Sequence, residues 1–68
     1  PNPMLNILSI ESKVAPILKV QFYSILGEKV KEIRSNFNSI FTNDLSKGIY
    51  MLQIYSDIGI TNKKIIKN

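Results

Sequence analysis

The chain has 68 residues, of which 44% are apolar and 21% are charged, a composition that suits one small folded domain and not a disordered segment. It contains no cysteine and no histidine, which excludes disulfides, thiolate metal sites and histidine-based acid–base chemistry. The formal net charge is +4, but the nine Lys and Arg residues are dispersed, which favours a solvated surface over a nucleic-acid patch. No apolar run approaches the ~18–20 residues of a membrane span.

Short apolar stretches alternate with turn residues along the whole chain, which predicts an all-β domain. Residues 1–3 are expected to be extended, because proline restricts both its own backbone and that of the residue before it. A first strand is predicted over residues 5–10, with Leu5 and Ile7 on one face. Residues 12–16 then connect this strand to the next.

Residues 17–23 alternate with the period of a half-buried strand. One face of this strand is predicted to carry Leu18, Val20 and Phe22. A hairpin turn at Gly27 and Glu28 is expected to follow, because glycine readily adopts the positive φ of tight turns.

The segment after this turn fits two structures. Leu26, Val30, Ile33 and Phe37 recur at helical spacing, whereas alternation over the same residues is poor. The helical pattern is short, and the polar run at residues 35–39 favours a turn. The local pattern leaves the two structures nearly even, and the all-β context favours a strand.

The rest of the chain is predicted to form a short strand over residues 40–42, a loop over 43–48, a strand over 49–55, a turn over 57–59 and a final strand over 60–67. One face of the 49–55 strand carries Tyr50, Leu52 and Ile54. Six or seven strands in 68 residues indicate a small antiparallel β-sandwich.

Several segments carry a recognisable pattern. Residues 45–54 resemble the L-x-x-G-x-Y-x-L-x-I signature of the type A C-terminal sorting domains of the type IX (Por) secretion system. Residues 1–3, 23–30 and 63–67 are similar to the family's opening Pro-Asn-Pro, its central hairpin with Leu-Gly-x-x-Val and its closing lysine-rich strand. The matching motif residues are Pro1, Asn2, Pro3, Gly27, Val30, Leu45, Gly48, Tyr50, Leu52 and Ile54.

The resemblance implies an immunoglobulin-like β-sandwich in which residues 1–68 form a single C-terminal domain of a larger secreted protein. Such a domain folds in the periplasm, is recognised by the outer-membrane translocon and is removed by a sortase-like peptidase. The cargo then reaches the cell surface or the medium. The resemblance implies no enzymatic activity, no cofactor and no nucleic-acid partner.

The motif residues are interpreted mainly as structural. Gly48 is expected at a sharp turn where a Cβ would clash, and Leu45 is expected to plug its loop against the core. The ring of Tyr50 would join the core while its hydroxyl finds a backbone partner. The tail is interpreted differently, because its lysines are expected on the surface; it is a candidate recognition element or a plain solvated strand. This candidate consists of Lys63, Lys64, Ile65, Ile66 and Lys67.

No catalytic site is visible in the sequence. The five acidic residues are scattered, and no phosphate loop, serine-nucleophile motif or metal-ligand spacing occurs. Two other functions stay open. Tyr23, Phe41 and Tyr55 could stack on single-stranded nucleic acid beside lysines, or the domain could be an accessory module that binds a carbohydrate or a surface.

Overall fold

The computed structural model describes residues 7–12 and 15–68, and this part of the chain contains six β-strands and no helix. The strands are β1 (Ile7–Leu8), β2 (Ile17–Ser24), β3 (Lys29–Ile33), β4 (Ile40–Phe41), β5 (Gly48–Ser56) and β6 (Gly59–Lys67). The all-β prediction is confirmed. The segment that fits both helix and strand by its pattern is a strand, β3, as the context predicts.

The six strands form two antiparallel sheets. The larger sheet has the order β3-β2-β5-β6, and the smaller sheet pairs β1 with β4. Buried side chains from both sheets form one hydrophobic cluster between them, so the architecture is a small β-sandwich. The likeness to an immunoglobulin domain is approximate.

Two tight hairpins connect neighbouring strands of the larger sheet. Between β2 and β3, the amide of Gly27 donates to the Ser24 carbonyl at 2.9 Å, and the Ser24 amide donates to the Glu28 carbonyl at 2.9 Å. Gly27 has a φ of +87°, which glycine adopts without the strain that a side chain would bring, and the predicted turn is confirmed. Between β5 and β6, Ser56 pairs with Gly59 across a two-residue turn.

The core is built from the inward faces of both sheets. The larger sheet contributes Val20, Phe22, Tyr50, Leu52 and Ile65, as the predicted strand faces require for β2 and β5. The smaller sheet and the loops contribute Leu8, Ile10, Ile40 and Leu45. Full burial of a large apolar side chain stabilises the fold by ~1.5–3 kcal/mol, so these side chains provide most of the stability.

Two predicted face assignments are wrong. Ile7 is 56% exposed, and Leu8 and Ile10 are the inward residues of the first segment, since Leu8 pairs with the buried Ile40. Leu5 lies outside the described residues. Leu18 is 56% exposed because the pairing of β2 with β5 shifts between Ile17 and Lys19. The irregularity leaves Leu18 outside the ladder, and Ile17 packs against the core in its place.

A second irregularity lies at the other edge of the larger sheet. Phe22 pairs with Lys31 and Tyr23 pairs with Lys29, which leaves Val30 as the extra residue of a bulge. On a regular strand, residues three apart point to opposite faces. The bulge instead brings Lys29 and Glu32 to the same face, where their side chains form an ion pair at 3.3 Å.

Candidate recognition surface

The motif residues of β5 and its preceding loop point into the sandwich. Leu45, Tyr50 and Leu52 are buried, and the half-buried Ile54 packs against them. The Tyr50 hydroxyl donates a hydrogen bond of 2.6 Å to the carbonyl of Ser46. The aromatic ring thus belongs to the core while its polar end satisfies a loop carbonyl, as an amphipathic side chain at a domain end requires.

Gly48 has a structural role, but the reason expected from the sequence is wrong. A Cβ added at this position would meet no heavy atom within 4 Å, so no clash excludes a side chain. The requirement is conformational: Gly48 has a φ of +151°, a region that residues with a Cβ rarely adopt.

The remaining motif residues that the structure describes, Gly27 and Val30, lie outside the core. Val30 occupies the β3 bulge and is 46% exposed, outside the core. Pro1, Asn2 and Pro3 lie outside the described residues. Gly27 forms the β2–β3 turn described above.

The predicted recognition tail divides into exposed and buried residues. Lys63, Lys64 and Ile66 are exposed, whereas Ile65 is fully buried in the core and Lys67 is only 6% exposed. The prediction that all three lysines lie on the surface is therefore wrong for Lys67. The cause is the register: Ile65 pairs with Tyr50 and Lys67 with Gly48, so both share the inward face of the sheet.

Lys67 lies against the loop between β4 and β5. Its Nζ is 3.4 Å from the Oγ1 of Thr42, which is itself fully buried. The neighbouring Asp44 binds Lys31 Nζ at 2.8 Å. This hydrogen bond holds the pKa of Asp44 below its ordinary value, and the charge of Lys67 contributes slightly in the same direction. The end of β6 is thereby hydrogen-bonded to the β4–β5 loop, and the same loop forms an ion pair with Lys31 of β3.

The face of the larger sheet that points away from the core carries an ordered polar network. We call this face the outer face. The Nε2 of Gln21 donates to Glu32 at 2.8 Å, and its Oε1 accepts from the Tyr23 hydroxyl at 2.7 Å. The Tyr55 hydroxyl lies 2.9 Å from both Gln21 Oε1 and Gln53 Oε1, so its proton serves one of them at a time.

Glu32 is the electrostatic centre of this network. Its carboxylate accepts from Gln21 and forms ion pairs with Lys29 at 3.3 Å and Arg34 at 2.6 Å. The hydrogen bond from Gln21, with smaller contributions from the two cations, lowers the pKa of Glu32 from 4.5 to about 2. Glu32 is therefore ionised at any pH that a cell experiences.

The structure does not bring the three aromatic residues considered for nucleic-acid stacking together. Tyr23 and Tyr55 lie on the outer face of the larger sheet, with the Lys19 ammonium 4.4 Å from the centre of the Tyr55 ring. Phe41 lies in the smaller sheet and is 61% exposed. Their separation over two sheets removes the continuous stacking surface that single-stranded binding requires.

Exposed apolar residues lie together on the outer face, and the sequence predicted a functional role only for Ile66. Ile49 and Met51 of β5 and Ile66 of β6 are 44%, 39% and 37% exposed. Ile49 and Met51 occupy the variable positions of the L-x-x-G-x-Y-x-L-x-I pattern, between residues that point inward. Strand alternation predicts that Met51 points away from the face of Tyr50 and Leu52, but only the register shows that Ile49 lies opposite Ile66.

The described residues contain no group of three or more Asp, Glu, His or Cys side chains able to hold a metal ion. Over residues 7–12 and 15–68, the structure contains no helix long and apolar enough to cross a membrane. The fold and the surface together define a small β domain whose distinctive features are a packed motif core and an outer face with polar, basic and apolar residues.

Comparison with known proteins identifies the family. The chain matches the family model described as the secretion system C-terminal sorting domain over residues 1–68. The chain therefore belongs to the family of C-terminal sorting domains of the type IX secretion system, which is not an enzyme family and serves export through the outer membrane. No curated protein and no solved structure gives a significant match.

Proposed function

We propose that this chain is a folded sorting signal that directs an upstream cargo domain through the type IX translocon. The observation that carries the proposal is the family match over all 68 residues, joined to a fold whose core contains motif residues of β5 and its preceding loop. In this role the domain folds in the periplasm as a single C-terminal unit. The translocon binds it, and a sortase-like peptidase then separates it from the cargo.

Recognition is assigned to the exposed residues of the tail. Lys63, Lys64 and Ile66 are accessible to a receptor, while Ile65 and Lys67 hold the same strand in place from the inside. Because side chains alternate along β6, we assign its buried and its exposed residues different roles. The buried residues Ile65 and Lys67 fix its position, and the outward residues Lys64 and Ile66 present a basic and apolar surface to the export machinery. Lys63 is exposed, but it pairs with Leu52 and therefore lies on the same side of the sheet as Ile65.

A reporter experiment tests the sorting function. Residues 1–68 are fused behind a periplasm-targeted reporter in a host that has the type IX system, and a Tyr50→Ala fusion is the control that lacks a folded signal. We expect the parent fusion to reach the medium or the cell surface and the control to stay behind. Intact, folded parent fusion confined to the periplasm would contradict the proposal.

A further inference from the structure

Three exposed apolar side chains are contiguous on the outer face, at the end of the sheet where β5 begins and β6 ends. Ile49 and Ile66 are cross-strand partners, and Met51 lies two residues along β5 on the same face. Cβ atoms of such partners lie about 4.5–5.5 Å apart, so these side chains form a continuous surface. Methionine adapts its shape to a partner more readily than the branched residues do.

A cationic side chain borders this apolar surface on one side, and a second lies one strand further away on the other side. On β6, the exposed Lys64 pairs with Met51 of β5. On the opposite side, Met51 pairs with Tyr23, which in turn pairs with Lys29. The one carboxylate among the outer-face residues of the four strands, Glu32, is already bound to Lys29 and Arg34. The border of the apolar surface is therefore basic.

From this arrangement we infer that Ile49, Met51, Lys64 and Ile66 form a docking surface, the outer patch, for a protein that presents apolar side chains beside carboxylates. This inference rests on the proposed function, since the partner would be a component of the export machinery. It extends the recognition surface from the tail onto β5, whose outward residues have no role in the sorting motif.

The chemistry of the outer patch selects this kind of partner over two others. The phosphates of a nucleic acid could pair with the lysines, but a nucleic acid offers no matching apolar surface for Ile49, Met51 and Ile66. A second copy of the chain would bring Lys64 and Lys29 towards the same residues of its neighbour, and like charges in contact disfavour association. A protein surface with apolar side chains beside carboxylates can contact the apolar residues of the outer patch and pair with its lysines.

A peptide titration tests the outer patch without depending on export. Two soluble peptides with the same apolar residues, one with glutamates and one with lysines between them, are added to the ¹⁵N-labelled domain. We expect the glutamate peptide alone to shift the signals of residues 49, 51, 64 and 66. Met51→Ser/Ile66→Ser should weaken this binding by about tenfold or more, as loss of central apolar anchors does.

Ile25→Ser/Ile58→Ser is the matched control, because it removes two apolar side chains that are 72% and 69% exposed at hairpin tips. This variant should bind the glutamate peptide as the parent does. Equal binding of the lysine peptide, preferential binding of a single-stranded oligonucleotide, or patch signals that move with protein concentration alone would each overturn the inference. The absence of any patch shift would do the same.

Photo-crosslinking in exporting cells supplies the second measurement. A photoreactive residue at position 51 should crosslink to a translocon component at a site that contains acidic residues, and one at position 58 should not. Normal export of Met51→Ser/Ile66→Ser would overturn the inference while leaving the sorting function intact. If the parent fusion itself is not exported, the sorting function fails and the peptide titration decides the outer patch.

Discussion

The two faces of strand β5 differ in what they contribute. Its inward residues Tyr50 and Leu52 are buried, whereas its outward residues Ile49 and Met51 are 44% and 39% exposed. Because side chains alternate along a strand, one segment carries fold-forming and surface-forming residues in turn. The sorting motif coincides with the inward set. The comparison teaches that a motif can identify a family through its core, while the residues between the motif positions form the surface.

The largest effect should come from removing an inward aromatic residue. Tyr50→Ala should lower the free energy of unfolding by about 3–5 kcal/mol, because it deletes a buried ring from the core. A domain of this size is stable by only ~3–10 kcal/mol, so this loss removes a large share of its stability. Tyr50→Phe loses the hydroxyl's hydrogen bonds to the Ser46 carbonyl at 2.6 Å and to the Ser46 Oγ at 3.3 Å, and it should cost ~0.5–1.5 kcal/mol. Chemical denaturation measures both, and equal losses would show that the ring adds nothing.

A smaller loss should follow from a change at the entry to β5. Gly48→Val should destabilise the domain by about 1–3 kcal/mol, because the φ of +151° is strained for a residue with a Cβ. The space around the residue is open, so Gly48→Ala should be destabilised for the same backbone reason and not by a clash. Thermal melts of both variants check this, and parent-like melting of either would contradict a conformational requirement.

The lysines of β6 allow a comparison of buried and exposed side chains that have the same chemistry, since Lys67 is buried and Lys63 and Lys64 are exposed. Lys67→Ser should cost about 1–3 kcal/mol, since the aliphatic stem of Lys67 is buried beside Thr42. Lys63→Ser/Lys64→Ser should change stability by no more than about 0.5 kcal/mol, as for ordinary surface sites. If the tail is a recognition element, the double variant should nevertheless be exported poorly. A double variant that melts and is exported normally would leave β6 as a solvated strand.

The smallest effect concerns the outer face and is confined to acidic solution. The pKa of Glu32 is about 2 in the folded domain and 4.5 when unperturbed. A lowered carboxyl pKa contributes stability above pH ~4.5 and loses it as the pH falls towards ~2. The stability difference between the parent and Glu32→Gln should therefore shrink over this interval. Denaturation at several pH values measures it, and a constant difference would exclude the carboxylate as its source.

Strand alternation and turn residues were enough to predict most of the fold. The inward faces of β5 and of the central part of β2, the Gly27 turn and the burial of Leu45 follow from local patterns. The errors at Leu18 and Lys67 have a common origin. A one-residue irregularity in β2 and the register of β6 against β5 decide which face each side chain takes, and neither is encoded in the local pattern.

The candidate surface was predictable only in part, for the same reason. The tail lysines are evident as a basic cluster, but the proximity of Ile49 to Ile66 depends on pairing between strands. The network around Gln21 is even less accessible to sequence reasoning. It joins β2, β3 and β5, and the bulge at Val30 is needed to bring Lys29 beside Glu32.

The burial of Ile65 and Lys67 has a consequence for protein synthesis. A chain cut short before these residues lacks the buried end of β6, which pairs with Tyr50 and Gly48, and exposes the core around Tyr50 to water. Such a product cannot close the sandwich and is open to proteolysis. The sorting domain becomes folded only after translation has continued at least as far as its last strand. Its folded state therefore reports that everything upstream of that strand has already been made, so interrupted chains carry no folded signal.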